Sequence, residues 1–256
     1  MCSRESYLIY LMHIATYDYV LAYVTGKHVL DLGCGTGYGT ARIAGKCASI
    51  CGVDISDEAI TYATQKYHAP NLTFRTISKI EDKRLPFADA TFDVIISFQV
   101  IEHISDTKTF LEEVCRLLKP GGLVIVATPD RSTRLLPAQR PWNRYHVTEY
   151  SDSSLVRLLS SRFPDPKLLR MSGRKAIIDI ELKRTRYLKW LTLPITFPLA
   201  PEWLRLHGLD FLKRLNMKRS QKIAGTEPSY EFSENDIFIG ENIHPSVNLI
   251  ALARKS

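Results

Sequence analysis

The sequence lacks the cysteine patterns that build disulfide frameworks and zinc sites. Its five cysteines are odd in number, and no two of them form a Cys-x-x-Cys pair. Small secreted domains and structural zinc sites use paired, regularly spaced cysteines, so both classes are disfavoured here. The cysteine content instead favours a protein of the reducing cytoplasm.

Long apolar runs are also absent. A helix that crosses a bilayer needs about 20 consecutive apolar residues, and no segment of the sequence reaches that length. Residues 1–24 are rich in tyrosine and leucine, but Arg4, His13 and Asp18 interrupt them, and neither a basic leader nor a small-residue cleavage site is recognisable. We therefore expect no signal peptide and predict an amphipathic helix over residues 1–26.

The composition is otherwise ordinary for a folded protein, but its positive charge is unevenly placed. The 256 residues are 45% hydrophobic and 24% charged, which fits one full-sized α/β domain or two small ones. The formal net charge is +7. Residues 183–222 contain ten lysines and arginines against two carboxylates, a local charge of +8, so the rest of the chain carries −1. The basic character therefore belongs to one segment.

Apolar runs alternate with helix-like segments in the first half of the chain. The runs lack the apolar–polar alternation of strands covered on one face, so each is expected to be buried on both faces. Alternation of strands and helices with short turns predicts a parallel sheet with crossover helices. The predicted strands are residues 28–32, 49–55, 72–77, 92–97 and 123–127, and the predicted helices are 40–47, 57–67 and 107–118.

The pattern changes after Pro129. Residues 130–150 are rich in arginine, proline and aromatic residues, and we predict that they form a long loop over the substrate. Two further strands bring the predicted total to seven. The remaining segments are predicted as a helix over 151–159, strands over 176–182 and 247–253, and a basic helical insertion or lid over 183–233.

A glycine-rich turn joins the first predicted strand to the first predicted helix of this alternation. Its sequence, VLDLGCGTGYG from Val29 to Gly39, places glycines where the backbone must turn sharply and approach a ligand without Cβ contacts. The next strand ends in Asp54, whose carboxylate can accept both hydroxyls of a ribose. Tyr38 stands where a pyrophosphate-binding turn has its third glycine, so the pattern favours a nucleoside ligand over a nicotinamide dinucleotide.

Four successive segments resemble the motifs of class I S-adenosylmethionine-dependent methyltransferases. They are VLDLGCGTGYG, VDIS, LPFADATFDVIISFQVIEHI and LKPGGLVIVATPD, within roughly residues 10–150. The branch they resemble acts on small molecules, quinones and glycans, and the last stretch, FIGENIHPSVNLIALARKS, resembles the end of glycan-associated members. The resemblance implies an α/β fold with a Rossmann-like, seven-stranded, mostly parallel sheet, helices on both faces and a helical insertion before the last strand. It also implies a single domain, 1–256, with its cofactor-binding core at 27–129.

The cofactor that the resemblance implies is S-adenosylmethionine. The first strand and the glycine turn hold its methionine end, the carboxylate that ends the second strand binds the ribose, and the next isoleucine packs on the adenine. An acidic residue after the third strand binds the adenine amino group in the family; Glu81 is our candidate, with Ser78 and Asp82 left open. The end of the fourth strand lines the sulfonium. The implied set is Asp31, Gly33, Cys34, Gly35, Gly37, Asp54, Ile55, Glu81, Ser97, Phe98 and Gln99.

Three residues are candidates for catalysis. Glu102 and His103 follow the fourth strand, beside the reactive end of the implied cofactor, and His146 lies in the loop after the fifth strand. Because ligands bind at the carboxyl edge of open α/β sheets, these side chains are expected there. One of the histidines can act as general base for a hydroxyl acceptor, or both can be structural and order their segments.

The same residues resemble part of a metal site. Small-RNA 3′-terminal 2′-O-methyltransferases carry Glu-x-x-Glu-His and a later histidine, which together bind a divalent cation. This sequence has Gln99, Glu102, His103 and His146, so it keeps three of the four positions and replaces one carboxylate by a neutral amide. Loss of an anionic ligand weakens a site for a hard cation. We therefore expect no bound metal.

The basic insertion permits three interpretations. It can be a lid whose cations are solvated, a patch for an anionic membrane surface, or a contact for nucleic acid. Tryptophans and leucines flanked by lysines and arginines suit membrane contact through residues 183–222. Nucleic acid is the least favoured of the three, because a basic stripe alone is weak support for it.

Together these features predict a cytoplasmic S-adenosylmethionine-dependent methyltransferase that acts on an oxygen of a sugar, glycolipid or other small-molecule hydroxyl. The expected partners are a small-molecule or lipid-linked glycan acceptor and, through the basic insertion, the inner face of an anionic membrane. Three alternatives stay open. They are an RNA 2′-O-methyltransferase that uses a divalent metal, a quinone methyltransferase, and an inactive subunit that only binds the cofactor.

Overall fold

Eight strands in the described residues form one sheet. The computed structural model describes residues 4–80, 84–221 and 232–256, with no side-chain description over 215–221. The strands are β1 (His28–Leu32), β2 (Ser49–Asp54), β3 (Leu72–Thr76), β4 (Phe92–Phe98), β5 (Leu118–Pro129), β6 (Lys167–Gly173), β7 (Ile237–Gly240) and β8 (Asn248–Arg254). Their order across the sheet is β3-β2-β1-β4-β5-β8-β6-β7. The first five are parallel to one another, and β8 lies antiparallel between β5 and β6.

Helices cover both faces of this sheet, as the apolar runs predict. Several begin at a side-chain cap: the Ser56 hydroxyl accepts the Ala59 amide of the helix that follows it. The helices are α1 (Arg4–Val24), α2 (Tyr38–Ala44), α3 (Asp57–Lys66), α4 (Thr107–Leu117), α5 (Arg131–Arg134), α6 (Asp152–Ser160), α7 (Lys175–Thr196) and α8 (Glu202–Gln221), with short 3-10 helices at Ile101–His103 and Glu234–Asp236.

The strand side chains divide between two apolar layers. In β4, Val94 and Ile96 join the layer that contains α1, whereas Ile95 joins the layer that contains α4 and α6. This is the alternation that a strand imposes on successive side chains. Since both sets are buried, the sheet is covered on both faces, and its carboxyl edge is left for a ligand.

The predicted fold class is confirmed, but the end of the sheet differs from the prediction. Residues 176–182 form the start of α7, not a strand. Their buried side chains, Ile177, Ile178 and Glu181, follow helical spacing and continue to Thr185. The sixth strand is instead β6, and the short β7 pairs with it at the sheet edge, so that eight strands replace the predicted seven.

The helices α7 and α8 form a hairpin, defined here as Lys175–Gln221, that precedes the last strands. Gly208 allows the two helices to approach closely, because a Cβ there would lie 2.8 Å from the Ile195 side chain. The hairpin is fastened to the loop after β5, where the Gln139 amide donates to the Thr196 hydroxyl at 2.8 Å. Among the described helices, none has both the length and the apolarity that a membrane crossing requires.

Candidate functional site

The glycine turn between β1 and α2 is held against the neighbouring strands. The amides of Gly33 and Cys34 both donate to the Val53 carbonyl of β2, at 2.8 and 3.0 Å. Gly33 has φ +87°, and a Cβ there would lie 2.2 Å from Val100. Gly35 has φ +54° with no atom within 4 Å of a Cβ position, so its backbone surface is open to a ligand.

Asp31 is a fully buried carboxylate beside this turn. Its Oδ2 accepts hydrogen bonds from Tyr17 at 3.0 Å and Thr40 at 2.6 Å. Its Oδ1 has no hydrogen-bond partner among the described residues. Burial raises the pKa of Asp31 to about 6, against the two opposing hydrogen bonds. A buried carboxylate oxygen without a partner is costly unless a cation or donor meets it, so the site fits the cationic methionine end of a cofactor.

Asp54 joins the glycine turn to the start of α3. Its Oδ2 accepts the Gly35 amide and its Oδ1 accepts the Ser56 amide, both at 2.9 Å. A carboxylate oxygen has more than one acceptor site, so both oxygens keep capacity for hydroxyl donors. The carboxylate is thus held in place where the sequence predicts the ribose.

A cavity of about 260 Å³ lies next to Asp54 at the carboxyl edge of the sheet. Its polar side chains are one carboxylate, one amide, one lysine and one imidazole, and the rest of the wall is mostly apolar, which suits a nucleoside. The lining residues predicted from the sequence are Gly33, Asp54, Ile55, Gln99 and His103. The motifs do not point to the others, which are Leu32, Ile77, Lys79, Ile80, Val100, Ile104 and Phe110.

The other predicted cofactor residues have different surroundings. The Ser97 hydroxyl is buried and donates to the Leu32 carbonyl at 3.1 Å, and Phe98 packs edge-on against Tyr17 at 5.0 Å. Neither is among the residues that line this cavity, and their place beside the sulfonium stays a prediction. The Cys34 thiol is buried. Glu81 and Asp82 lie outside the described residues.

Gln99 has an unusual backbone. Its φ is +58°, a left-handed conformation that costs a residue with a side chain about 1 kcal/mol or more. The backbone amide of Gln99 donates to the Ala127 carbonyl of β5 at 2.7 Å, and this hydrogen bond stabilises the conformation. The backbone therefore turns away from β4 at the point where the side chain lines the cavity.

Glu102 belongs to the 3-10 helix Ile101–His103, and its side chain is fully buried against β5. Its Oε2 accepts the Thr128 hydroxyl at 2.9 Å, and its Oε1 has no partner among the described residues. Burial raises the pKa of Glu102 above its ordinary value, and the nearby His146 opposes that shift. The Glu102 carbonyl also accepts the Val147 amide at 2.8 Å, which ties the loop after β5 to this position.

His146 is buried and oriented by a second carboxylate. Its Nδ1 lies 2.8 Å from Glu149 Oε1, and Arg134 contacts the same carboxylate with Nε at 2.9 Å. Burial opposes ionisation, but Arg134 and the His146 hydrogen bond hold the pKa of Glu149 at about 2. An ionised carboxylate only accepts, so Nδ1 carries the proton and a neutral His146 has its lone pair on Nε2.

His103 meets His146 at the edge of the cavity. Its Nδ1 lies 2.9 Å from the Tyr145 carbonyl, which only accepts, so this ring also keeps its Nε2 lone pair when neutral. The two imidazoles pack edge-to-face with centroids 4.9 Å apart. One ligand atom from each of Glu102, His103 and His146 lies within 4.8 Å of the others. The three predicted catalytic residues therefore come together, and the group can move a proton or hold a metal ion.

Sequence reasoning missed the residues that orient His146. Glu149 follows it by three positions, and Arg134 precedes it by 12. Arg134 also stacks on the Trp142 ring at 4.1 Å. The only available signal was the His-x-x-Glu spacing within a loop, since burial of this ion pair is a property of the folded chain.

Comparison with known proteins agrees with the fold. The model of the family described as methyltransferase domain matches residues 24–171. A protein of Mycolicibacterium smegmatis named "Probable S-adenosylmethionine-dependent methyltransferase" is 34% identical over 58% of this chain and 56% of its own length. A Mycobacterium tuberculosis protein of the same description is 32% identical over 67% of this chain and 65% of its own. The match thus spans about half to two thirds of these curated relatives.

Two further similarities are more distant. A ubiquinone biosynthesis O-methyltransferase of Rhizobium etli is 34% identical over 43% of this chain and 44% of its own length. A solved Thermotoga maritima structure, titled as an S-adenosylmethionine-dependent methyltransferase, superposes with a TM-score of 0.57 over 95% of this chain and 89% of its own, at 15% identity. At that identity the structure supports the fold alone. By its family match, its relatives and its sheet order, the chain belongs to the class I S-adenosylmethionine-dependent methyltransferases.

Proposed function

We propose that this chain transfers the methyl group of S-adenosylmethionine to a hydroxyl oxygen of a sugar, glycolipid or other small molecule. The observation that carries the proposal is the His146–Glu149–Arg134 array. It holds an imidazole with a free Nε2 beside His103, which lines the cofactor cavity. A hydroxyl acceptor has a high pKa, so its methylation gains from a base at this place.

In this proposal the cofactor lies in the cavity, with its methionine end toward Asp31. Asp54 accepts the ribose hydroxyls, and Ile55, Ile77 and Ile80 supply the apolar wall for the adenine. Asp31 pairs its free Oδ1 with the cationic methionine end. A contact between Glu81 and the adenine amino group stays a prediction from the sequence.

When bound, S-adenosylmethionine supplies a methyl group that is electrophilic because it is attached to a sulfonium. His146 Nε2 accepts the hydroxyl proton of the acceptor while the new C–O bond forms and the S–C bond breaks. Glu149 stabilises the resulting imidazolium through the Nδ1 hydrogen bond, and Arg134 keeps Glu149 ionised. The remaining contribution is alignment of the acceptor oxygen with the methyl group, which the loop 130–150 provides.

The test is a methyl-transfer assay with labelled S-adenosylmethionine and a panel of monosaccharides, glycolipids and phenols. In His146→Gln we expect kcat to fall about 10²- to 10⁴-fold, with cofactor affinity measured by calorimetry unchanged. His68→Gln, at an exposed histidine beyond α3, is the matched control and keeps wild-type kcat. A kcat close to that of the wild type in His146→Gln would refute the proposal that His146 is the general base. If the chain binds the cofactor but methylates no acceptor, the result would favour the alternative that it is an inactive, cofactor-binding subunit.

A second candidate is metal-assisted transfer, as to an RNA 2′-hydroxyl. It is favoured by one observation: the ligand atoms of Glu102, His103 and His146 lie within 4.8 Å of one another, and both imidazoles are held by their other nitrogen. In this case His146 is a ligand and not the base. Calorimetry with Mn²⁺, on the wild type and on Glu102→Gln, distinguishes the two. Transfer to a sugar that persists with a chelator supports the first candidate.

A further inference from the structure

The outer face of the α7–α8 hairpin exposes large apolar side chains. Leu199, in the turn between the helices, is 86% exposed. Trp190, Trp203 and Phe211 on the two helices are 59%, 63% and 61% exposed. Single exposed apolar residues are common on proteins, but several on one helical hairpin, two of them tryptophans, indicate a contact surface.

The spacing of these residues places them on one side of each helix. On α7, Tyr187, Trp190 and Pro194 are exposed, with the separations of three and four that define a helix face. On α8, Trp203 and Phe211 lie two turns apart in the same way. Each helix therefore presents an apolar stripe to its surroundings.

The buried side of α7 is apolar at its start, with Ile177 and Ile178, but polar further along the helix. Thr185, Thr192 and Thr196 are buried, and their hydroxyls form hydrogen bonds to the helix backbone. The side-chain amide of Gln139 donates one hydrogen bond to the Thr196 hydroxyl and one to the Lys189 carbonyl. Polar side chains thus fasten the hairpin to the protein, while aromatic ones are left outside, so the outer face is matched to an apolar medium.

Unpaired cations border the apolar stripes. The arginines on the protein side of the hairpin are neutralised: Arg184 pairs with Glu181, and Arg205 pairs with Glu202. On the outer side, the exposed Arg186 and Arg214 form no ion pair with a carboxylate of the described side chains. The surplus positive charge therefore lies beside the exposed aromatic residues.

The hairpin is also joined to the loop that carries His146. Arg144 of this loop pairs with Asp210 of α8, and Lys213 Nζ lies 5.5 Å from the Tyr145 ring. The Tyr145 carbonyl is in turn the partner of His103. Any surface to which the hairpin binds therefore lies next to the acceptor side of the site.

We propose that the α7–α8 hairpin docks on the surface of a bilayer that contains anionic lipid. Tryptophan and leucine side chains enter the headgroup region, and the unpaired cations contact lipid phosphates. No described helix spans a membrane, and docking in the plane of the surface requires none. Docking itself stands on the exposed face; that it delivers a lipid-linked acceptor to His146 rests on the proposed function.

The experiment is co-sedimentation of the full chain with vesicles of phosphatidylcholine alone or with added phosphatidylglycerol. We expect binding to the anionic vesicles that weakens as salt is raised. Arg186→Gln should reduce affinity about fivefold, and Trp190→Ala with Trp203→Ala should reduce it by about tenfold or more. Tyr62→Ala, at an exposed tyrosine of α3, is the matched control and should bind as the wild type does.

Three results would overturn the proposal: no binding to anionic vesicles, equal binding to neutral ones, or a dimer in solution that Trp203→Ala dissociates. The last would identify the outer face as an interface between copies. Failure here is separable from failure of the proposed function. The His146→Gln variant should bind vesicles normally, and the tryptophan variants should methylate a water-soluble sugar at the wild-type rate.

Discussion

The cofactor side and the acceptor side of the sheet edge are fastened to different parts of the chain. On the cofactor side, Asp31 is bonded to Thr40, nine residues away, and Asp54 to Gly35, 19 residues away. On the acceptor side, Arg134 and Glu149 are 15 residues apart, but Arg140 of the same loop pairs with Glu202 at a separation of 62. These contacts of Asp31 and Asp54 lie within the unit formed by β1, the glycine turn, α2 and β2, whereas the acceptor loop also depends on the α7–α8 hairpin.

This difference predicts that the two sides can be damaged separately. The largest effect is expected for Arg134→Met, which removes the guanidinium that pairs with the buried Glu149 carboxylate. An uncompensated buried charge lowers the free energy of unfolding by about 3–5 kcal/mol. Urea unfolding measures the loss, and calorimetry should show S-adenosylmethionine affinity little changed in the protein that remains folded.

Arg157→Met, at an exposed arginine of α6, is the control and should be nearly neutral. If Arg134→Met instead lost cofactor affinity as strongly as it lost stability, the two sides would be one cooperative unit. The comparison would then be wrong.

The second-largest effect on stability is expected from substitutions in the glycine turn on the cofactor side. Gly33→Ala combines a positive φ with a Cβ 2.2 Å from Val100, and should cost about 2–4 kcal/mol of unfolding free energy. Gly35→Ala has the positive φ without the clash and should cost about 1–2 kcal/mol. Urea unfolding of both variants isolates the clash.

Gly35→Ala also sharpens the comparison. It puts a methyl group on the open surface of the turn, so cofactor affinity should fall by about tenfold or more although the protein stays folded. Vesicle binding by the hairpin should be unchanged in this variant. Unchanged cofactor affinity in Gly35→Ala would mean that the turn does not contact the ligand.

The same contrast explains how far the sequence alone could lead. The predicted bounds of β1 to β4 are correct to within one residue, because double burial leaves continuous apolar runs such as that of β4. The strand β5 begins five residues before its predicted start. The isoleucines of residues 176–182 favour a strand. Only the packed fold shows that Ile177 and Glu181 lie on the buried face of a helix.

The site shows the same limit. Asp54, Ile55 and Gln99 were predicted from motifs and surround one cavity, though their contact with the cofactor stays a prediction. The position of His146 after β5 predicts that it belongs to the site. The sequence does not predict that Glu149 and Arg134 are its partners, because a charged residue in a polar loop is ordinarily solvated. Nothing local in the sequence shows that this pair is buried.

The smallest expected effect concerns the charge of Asp31. Its pKa of about 6 in the folded protein exceeds the ordinary 3.8, chiefly because of burial. Its contribution to stability is therefore full below pH 3.8 and is lost as pH rises through 6. Cofactor binding has the opposite sign, because a cationic ligand prefers the ionised carboxylate.

We therefore expect S-adenosylmethionine affinity to be highest above pH 6 and to fall by up to about tenfold per pH unit below it. Calorimetry between about pH 5 and 7 keeps the amino group of the cofactor protonated, so the protein alone titrates. Asp31→Asn should bind weakly and without this pH dependence, whereas Asp57→Asn, at an exposed carboxylate of α3, should keep the wild-type profile. A wild-type affinity that is flat across pH 6 would show that Asp31 does not meet the cationic end of the cofactor. The glycine turn and Asp54 would then carry the cofactor side without it.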